Sequence, residues 1–165
     1  MISLICKKYN IENYTVNDDG SIDVDGNVDL LWYRLTELPL NFNRVTGYFN
    51  CSRNKLTSLK GSPRWVGGYF YCSHNQLTSL EFSPDYVGGY FSCYNNYLTS
   101  LEFSPDYVGG WFGCGMNKLT DNYCDTEIGG SFYTSLKQDG LTNDNYKEFQ
   151  KMYKRKKILD DIFDM

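Results

Sequence analysis

Apolar residues along this chain recur at a long fixed interval, not at the 3.6 or 2 of a single helix or strand. Leu56-Thr57-Ser58-Leu59 returns as Leu77-Thr78-Ser79-Leu80 and again as Leu98-Thr99-Ser100-Leu101, a spacing of 21 residues. The same interval links Phe49, Phe70, Phe91 and Phe112, and likewise Cys51, Cys72, Cys93 and Cys114. It also links Asn54, Asn75, Asn96 and Asn117, and Pro63, Pro84 and Pro105. Upstream, Val28, Leu30, Leu35 and Leu38 keep the register with degraded identity. Downstream, Ile128-Gly129-Gly130-Ser131-Phe132 keeps it after losing one residue. About five turns result, sharp in the middle and blurred at both ends, as expected where terminal units cap a stacked core.

Each unit predicts its own local structure. Phe and Cys at i and i+2 point the same way from a short strand, and equivalent strands pair in parallel about 4.8 Å apart. The recurring Asn turns the chain and can satisfy buried backbone groups down a column. The Gly-Gly before each strand allows a tight or positive-φ bend, and Pro suits an extended segment with no ladder bonds to lose. Tyr14-Thr15-Val16 and Ser21-Ile22-Asp23-Val24-Asp25 flank Asn17-Asp18-Asp19-Gly20, which predicts a hairpin covering the first strand. At the other end Asn145 and Glu148 suggest a helix start, and Tyr146, Phe149, Met152, Tyr153, Leu159, Ile162 and Phe163 recur on one helical face. The expected organisation is an N-terminal hairpin cap over 1–27, a repeat array over 28–136 and an amphipathic helical cap over 137–165.

The unit Phe91-x-Cys93-x-x-Asn96-x-Leu98-x-x-Leu101 resembles the leucine-rich repeat, L-x-L-x-x-N-x-L-x-x-L. The remainder, Ser104-Pro105-x-x-Val108-Gly109-Gly110, resembles the family's short bacterial class of about 20 to 22 residues. That resemblance implies an α+β solenoid with one concave parallel sheet. The unit is also similar to repeat proteins of tailed bacteriophages and giant viruses. The chain has no Ala and many Asn, Lys, Ile and Tyr, which fits an AT-rich genome. Fold alone does not supply a function.

Composition narrows the function. A net charge of −4 argues against a general nucleic-acid binder, and no apolar stretch is long enough to span a bilayer. The first residues do not read as a signal peptide, so the chain is expected in the cytoplasm, the host's if it is viral. Residues 1–30 hold two lysines against six carboxylates, whereas 137–165 hold seven bases against six acids. The basic run Lys154-Arg155-Lys156-Lys157 reads most simply as a solvated face and otherwise as a contact for an acidic partner.

Four of the six cysteines fall at an inward repeat position and read as buried thiols. No short Cys cluster suggests zinc, Asp23-Val24-Asp25-Gly26-Asn27 lacks most of a calcium loop, and no cofactor is implied. Cys6 and Cys124 have no periodic role. The only His, His74, has no assured nucleophile or orienting partner, so catalysis is not expected.

Outward strand positions form the candidate surface. One column is Tyr48, Tyr69, Tyr90 and Trp111, which could serve the ladder or a ligand equally well. A second is Asn50, Tyr71, Ser92, Gly113 and Tyr133, and a third is Ser52, Ser73, Tyr94 and Gly115. Arg53, His74, Asn95 and Met116 lie beside the third, with Leu31 and Trp32 at the matching places upstream. Gly113 and Gly115 should leave a hollow beneath Trp111. Exposed Tyr, Trp and Arg are frequent interface anchors, so protein binding through Trp32, Tyr48, Tyr69, Tyr71, His74, Tyr90, Tyr94, Trp111 and Tyr133 is the leading expectation. The partner expected is a host protein, such as a bacterial immune factor. A virion or assembly role by self-association and binding of a glycan or nucleotide are the alternatives. The face measures roughly 20 by 13 Å, about 260 Å², far below the ~800 Å² per partner of a standard interface.

Overall fold

The computed structural model describes residues 1–120 and 123–134, together with Glu148 and Lys151, which are helical and exposed. The expected C-terminal cap otherwise lies outside the described residues. The chain opens with helix α1 (Ile2–Lys8), followed by β1 (Tyr14–Val16), β2 (Ile22–Val24) and β3 (Val28–Asp29). Then come β4 (Phe42–Val45), β5 (Phe49–Asn50), β6 (Trp65–Val66), β7 (Phe70–Tyr71), β8 (Tyr86–Val87) and β9 (Phe91–Ser92). The last four strands are β10 (Tyr107–Val108), β11 (Phe112–Gly113), β12 (Glu127–Ile128) and β13 (Phe132–Tyr133).

Every turn of the chain thus carries two very short strands, and the result is a β-solenoid of about five turns. The odd strands β3 to β13 form a six-stranded front sheet, all parallel. The even strands β2 to β12 form a parallel back sheet, extended by β1 antiparallel to β2. The one concave sheet expected from the repeat is therefore accompanied by a second one. The stretch after each Pro, expected as an extended segment without ladder bonds, is itself a rung: Trp65, Tyr86 and Tyr107 lie in register, as do Val66, Val87 and Val108. The shortened last repeat keeps pace, with Phe112 opposite Phe132 and Tyr107 opposite Glu127.

Between the sheets runs one core. Val24, Val45, Val66, Val87 and Val108 line it from the back; Phe49, Phe70, Phe91 and Phe112 line it from the front, with rings stacked 5.5 and 5.6 Å apart over the first three. The cysteine column fills the next corner. All six cysteines are buried and none is in a disulfide, Cys6 and Cys124 included, and burial pushes the Cys51 and Cys114 thiols up to about 12. The Asn column does what its spacing predicts. Asn75 Nδ2 donates to the carbonyls of Cys51 and Cys72, each at 3.0 Å, while its Oδ1 accepts from the Leu56 amide at 3.0 Å. Asn54, Asn96 and Asn117 repeat that pattern.

The paired glycines are needed for a reason other than a positive-φ bend. None of them has positive φ. They sit where successive coils touch, and a Cβ on Gly88 or Gly109 would lie 2.3 or 2.2 Å from the carbonyl oxygen of Gly67 or Gly88. At the corner that follows each front strand the left-handed residues are instead Arg53, His74, Asn95 and Met116, with φ of 54–57°.

At the N-terminus the hairpin forms as expected, but its second arm, β2, is already the first rung of the back sheet. Helix α1 closes the core end. Cys6 and Tyr9 are buried there, while Ile2 and Ile5 pack against it. Asp23 and Asp25, the acids of the calcium-loop fragment, hold the hairpin to the next coil: Asn43 Nδ2 donates to Asp23 at 2.8 Å and the Thr46 hydroxyl to Asp25 at 2.9 Å.

Candidate functional site

The outer face of the front sheet divides into two ends. Tyr69 stacks on Tyr90 at 4.8 Å, and Tyr90 on Trp111 at 5.0 Å. The glycine of the next coil makes the bed for each tyrosine: a Cβ on Gly89 or Gly110 would lie 2.5 or 2.2 Å from the Tyr69 or Tyr90 ring. Tyr48 stands apart, lining a depression at the N-terminal end with Tyr9, Asn27, Leu31 and Tyr33. Trp32 is also at that end, 63% exposed, with the Arg53 guanidinium 5.1 Å from its ring centre. Stacking has a consequence for chemistry. Tyr90, with a ring on each side, spends both π faces on its neighbours and offers a planar ligand only an edge, whereas Tyr69 is stacked on one side alone and stays 42% exposed.

The ladder ends differently at Trp111. Its indole turns over Gly113, where a Cβ would come within 2.5 Å of the ring, and meets Tyr133 edge-on at 5.8 Å. Gly113 and Gly115 replace the side chains that fill this row elsewhere, Tyr71 and Ser73 among them. The hollow expected beneath Trp111 is present, with a volume of about 650 Å³. Ser92, Gly113 and Gly115 floor it; Tyr94, Trp111, Met116 and Tyr133 wall it. Among the described residues no charged side chain lines it. Ser92 Oγ is held by Ser73 Oγ at 2.8 Å.

His74 bridges the two ends of the face. Asn95 Nδ2 lies 2.7 Å from its Nδ1, and the Tyr94 ring centre is 5.7 Å away. Burial first, then the Arg53 charge, hold the imidazole below its ordinary 6.5, so Nδ1 is a bare acceptor for the Asn95 amide. Tyr71 sits 5.8 Å from Tyr69, and burial followed by the neighbouring phenols raises its hydroxyl above its ordinary 10.0. The structure therefore groups Tyr94, Trp111 and Tyr133 around one hollow, joins His74 to Tyr94, and leaves Trp32 and Tyr48 at the far end.

Sequence reasoning left one feature unassigned. On the back sheet Trp65 stacks on Tyr86 at 5.5 Å and Tyr86 on Tyr107 at 5.0 Å, with the Arg44 guanidinium 3.4 Å from the Trp65 ring centre. Their common interval of 21 was the available signal. Among the described residues no three His, Cys, Asp or Glu side chains group as a metal site would require, and no helix is long and apolar enough to cross a membrane.

By fold the chain is a parallel β-solenoid with an aromatic front face. No family model, no curated protein and no solved structure matches it.

Proposed function

We propose that this protein is a non-catalytic binding module of the leucine-rich-repeat type that holds another protein on its front face. One observation carries the reading: outward positions of the front sheet change from coil to coil while the core beneath them does not, and the changes converge on an apolar hollow. Tyr94, Trp111 and Tyr133 are the residue types that anchor interfaces, and their hollow suits one apolar side chain of a partner. The asparagine ladder and the L-x-x-L spacing support the repeat type. His74 is engaged by the Asn95 amide, with the Tyr94 ring centre 5.7 Å away. The similarity to phage and giant-virus repeat proteins makes a host protein, of the bacterial defence class, the expected partner.

The test is capture from bacterial lysate by immobilised wild type beside Tyr94→Ser and Gly115→Leu variants, the second filling the hollow. A host protein held by wild type and lost by both folded variants supports the reading. Equal recovery on all three overturns it.

A second reading rests on the hollow's size, which falls within the roughly 300–1,000 Å³ of small-molecule sites. The doubly stacked Tyr90 offers a glycan or nucleotide ring no face, and the hollow beside Trp111 is the roomier place for such a ligand. Quenching of Trp fluorescence by added ligands, abolished in Gly115→Leu, would favour it.

A further inference from the structure

The corner that leads into the back sheet carries an inference independent of the front face. Three successive coils make the same tight turn there, with the amides of Ser62, Ser83 and Ser104 donating to the carbonyls of Leu59, Leu80 and Leu101. The third residue of the turn has positive φ, +92° at Gly61, +68° at Phe82 and +63° at Phe103. Glycine is the usual residue at such a place because a Cβ crowds the backbone. Here two coils use phenylalanine instead, and the rings stay 49% and 57% exposed. The turn is held in that form: the hydroxyls of Ser62 and Ser83 donate to the carbonyls of Phe82 and Phe103. A large apolar side chain, strained and left in water, calls for a functional explanation.

Its surroundings indicate what it meets. Two adjoining grooves of about 440 and 470 Å³ share Phe103, Ser104 and Asp106. Their walls add Asp85 to the first and Glu102 and Asp125 to the second, and Arg64 is the one base among the described residues that line them. Arg64 Nε already pairs with Asp85 at 3.0 Å, the one ion pair among the described residues. The next coil puts Asp106 beside Asp85 in place of a second base, and like charges on adjacent rungs repel. The stretch Leu77–Gly89 recurs unchanged as Leu98–Gly110, so Glu81, Phe82 and Asp85 are repeated together as Glu102, Phe103 and Asp106.

We propose that these grooves dock a cationic segment of a protein partner. An apolar side chain of that segment lies against Phe82 and Phe103, and flanking Lys or Arg heads pair with Asp106 and Glu102. The charge is complementary, and among the described residues neither Asp106 nor Glu102 has an ion pair.

The probe is a dye-labelled synthetic peptide, acetyl-Lys-Leu-Arg-Leu-Lys-amide, followed by fluorescence anisotropy against the full chain. It should bind, weaken as salt rises, and lose about tenfold in affinity with Asp106→Lys. Phe103→Gly should lose a similar factor while keeping a melting temperature near wild type, because it returns the turn to the residue its φ favours. That variant separates loss of docking from loss of fold. Three results would overturn the proposal: no binding at about 1 mM peptide, equal binding by wild type and Asp106→Lys, or equal binding of a penta-lysine peptide. The last would reduce the grooves to a bare acidic patch.

Discussion

The coils that begin at Leu77 and Leu98 are the same unit twice, yet their two faces differ in how much they have changed. Across the turn and back sheet, from Leu77 to Gly89 and from Leu98 to Gly110, not one residue differs. Across the front strand and its corner the inward Phe91, Cys93 and Asn96 are matched by Phe112, Cys114 and Asn117. The outward Tyr90, Ser92, Tyr94 and Asn95 become Trp111, Gly113, Gly115 and Met116. Core packing explains the inward constancy on both faces. It does not explain why exposed Glu81, Phe82 and Asp85 are copied while the outward front residues vary. A surface that meets one kind of contact keeps its residues, and a surface that shapes a particular site changes them coil by coil.

The comparison breaks first if the inward set is less constrained than it looks. Asn96→Ala should cost about 4 kcal/mol, the largest effect expected, because it leaves one buried amide unpaired and opens a cavity. It also takes one of two donors from each of two buried carbonyls, which keep Asn75 and Asn117. The groups are the carbonyls of Cys72 and Cys93, at 3.1 and 3.0 Å, and the Leu77 amide, at 3.0 Å. Urea unfolding followed by far-ultraviolet dichroism measures it, and a loss below about 1 kcal/mol would mean that water replaces the side chain. Gly109→Ala should follow at about 3 kcal/mol, since its Cβ would lie 2.2 Å from the Gly88 oxygen and the coils would have to part.

Tyr86→Ser sharpens the difference between the two ladders. Tyr86 has a ring on each side, at 5.5 and 5.0 Å, and losing both contacts should cost about 2 kcal/mol. Partner capture by the front face should survive it. Tyr94→Ser should do the reverse, with little loss of stability and loss of the partner. If both variants lose stability alone, the two faces are equally structural and the front hollow has no role.

How much of this was legible follows from what stacking demands. A column must repeat where side chains fill a shared core or ladder, so Phe70, Cys72, Asn75 and Leu77 announced their positions, and the glycines at 113 and 115 announced the hollow. The back sheet was harder to read because each rung is two residues long, Tyr107–Val108 for instance, caught between Pro and Gly-Gly, and shows no alternation. Left-handed geometry at Arg53, His74, Asn95 and Met116 left no trace, because these residues share a backbone shape and no side-chain chemistry. Helix α1 was present as Ile2, Ile5, Cys6 and Tyr9 at helical spacing, but one short turn set carries little periodic signal.

The smallest expected effect concerns the left-handed corner itself. Burial first, and then the Arg53 charge, keep the His74 ring neutral, and its Nδ1 takes a hydrogen bond from Asn95. The folded chain therefore holds fewer protons on this ring than the unfolded chain, whose imidazole titrates near 6.5. The stability this gives is fully present above that value and is lost as pH falls from there towards the folded ring's lower pKa. Protonation also puts an N–H where the Asn95 amide already points one, so the amide must turn over. Replacing His74 with Asn, the residue the next coil carries at the same corner, keeps the left-handed backbone and removes the titration. The drop in unfolding midpoint between about pH 7.5 and pH 5.5 should then be smaller in His74→Asn than in wild type. An identical drop in the two proteins would show that the ring is solvated in both states and that the short contact to Asn95 does not hold it.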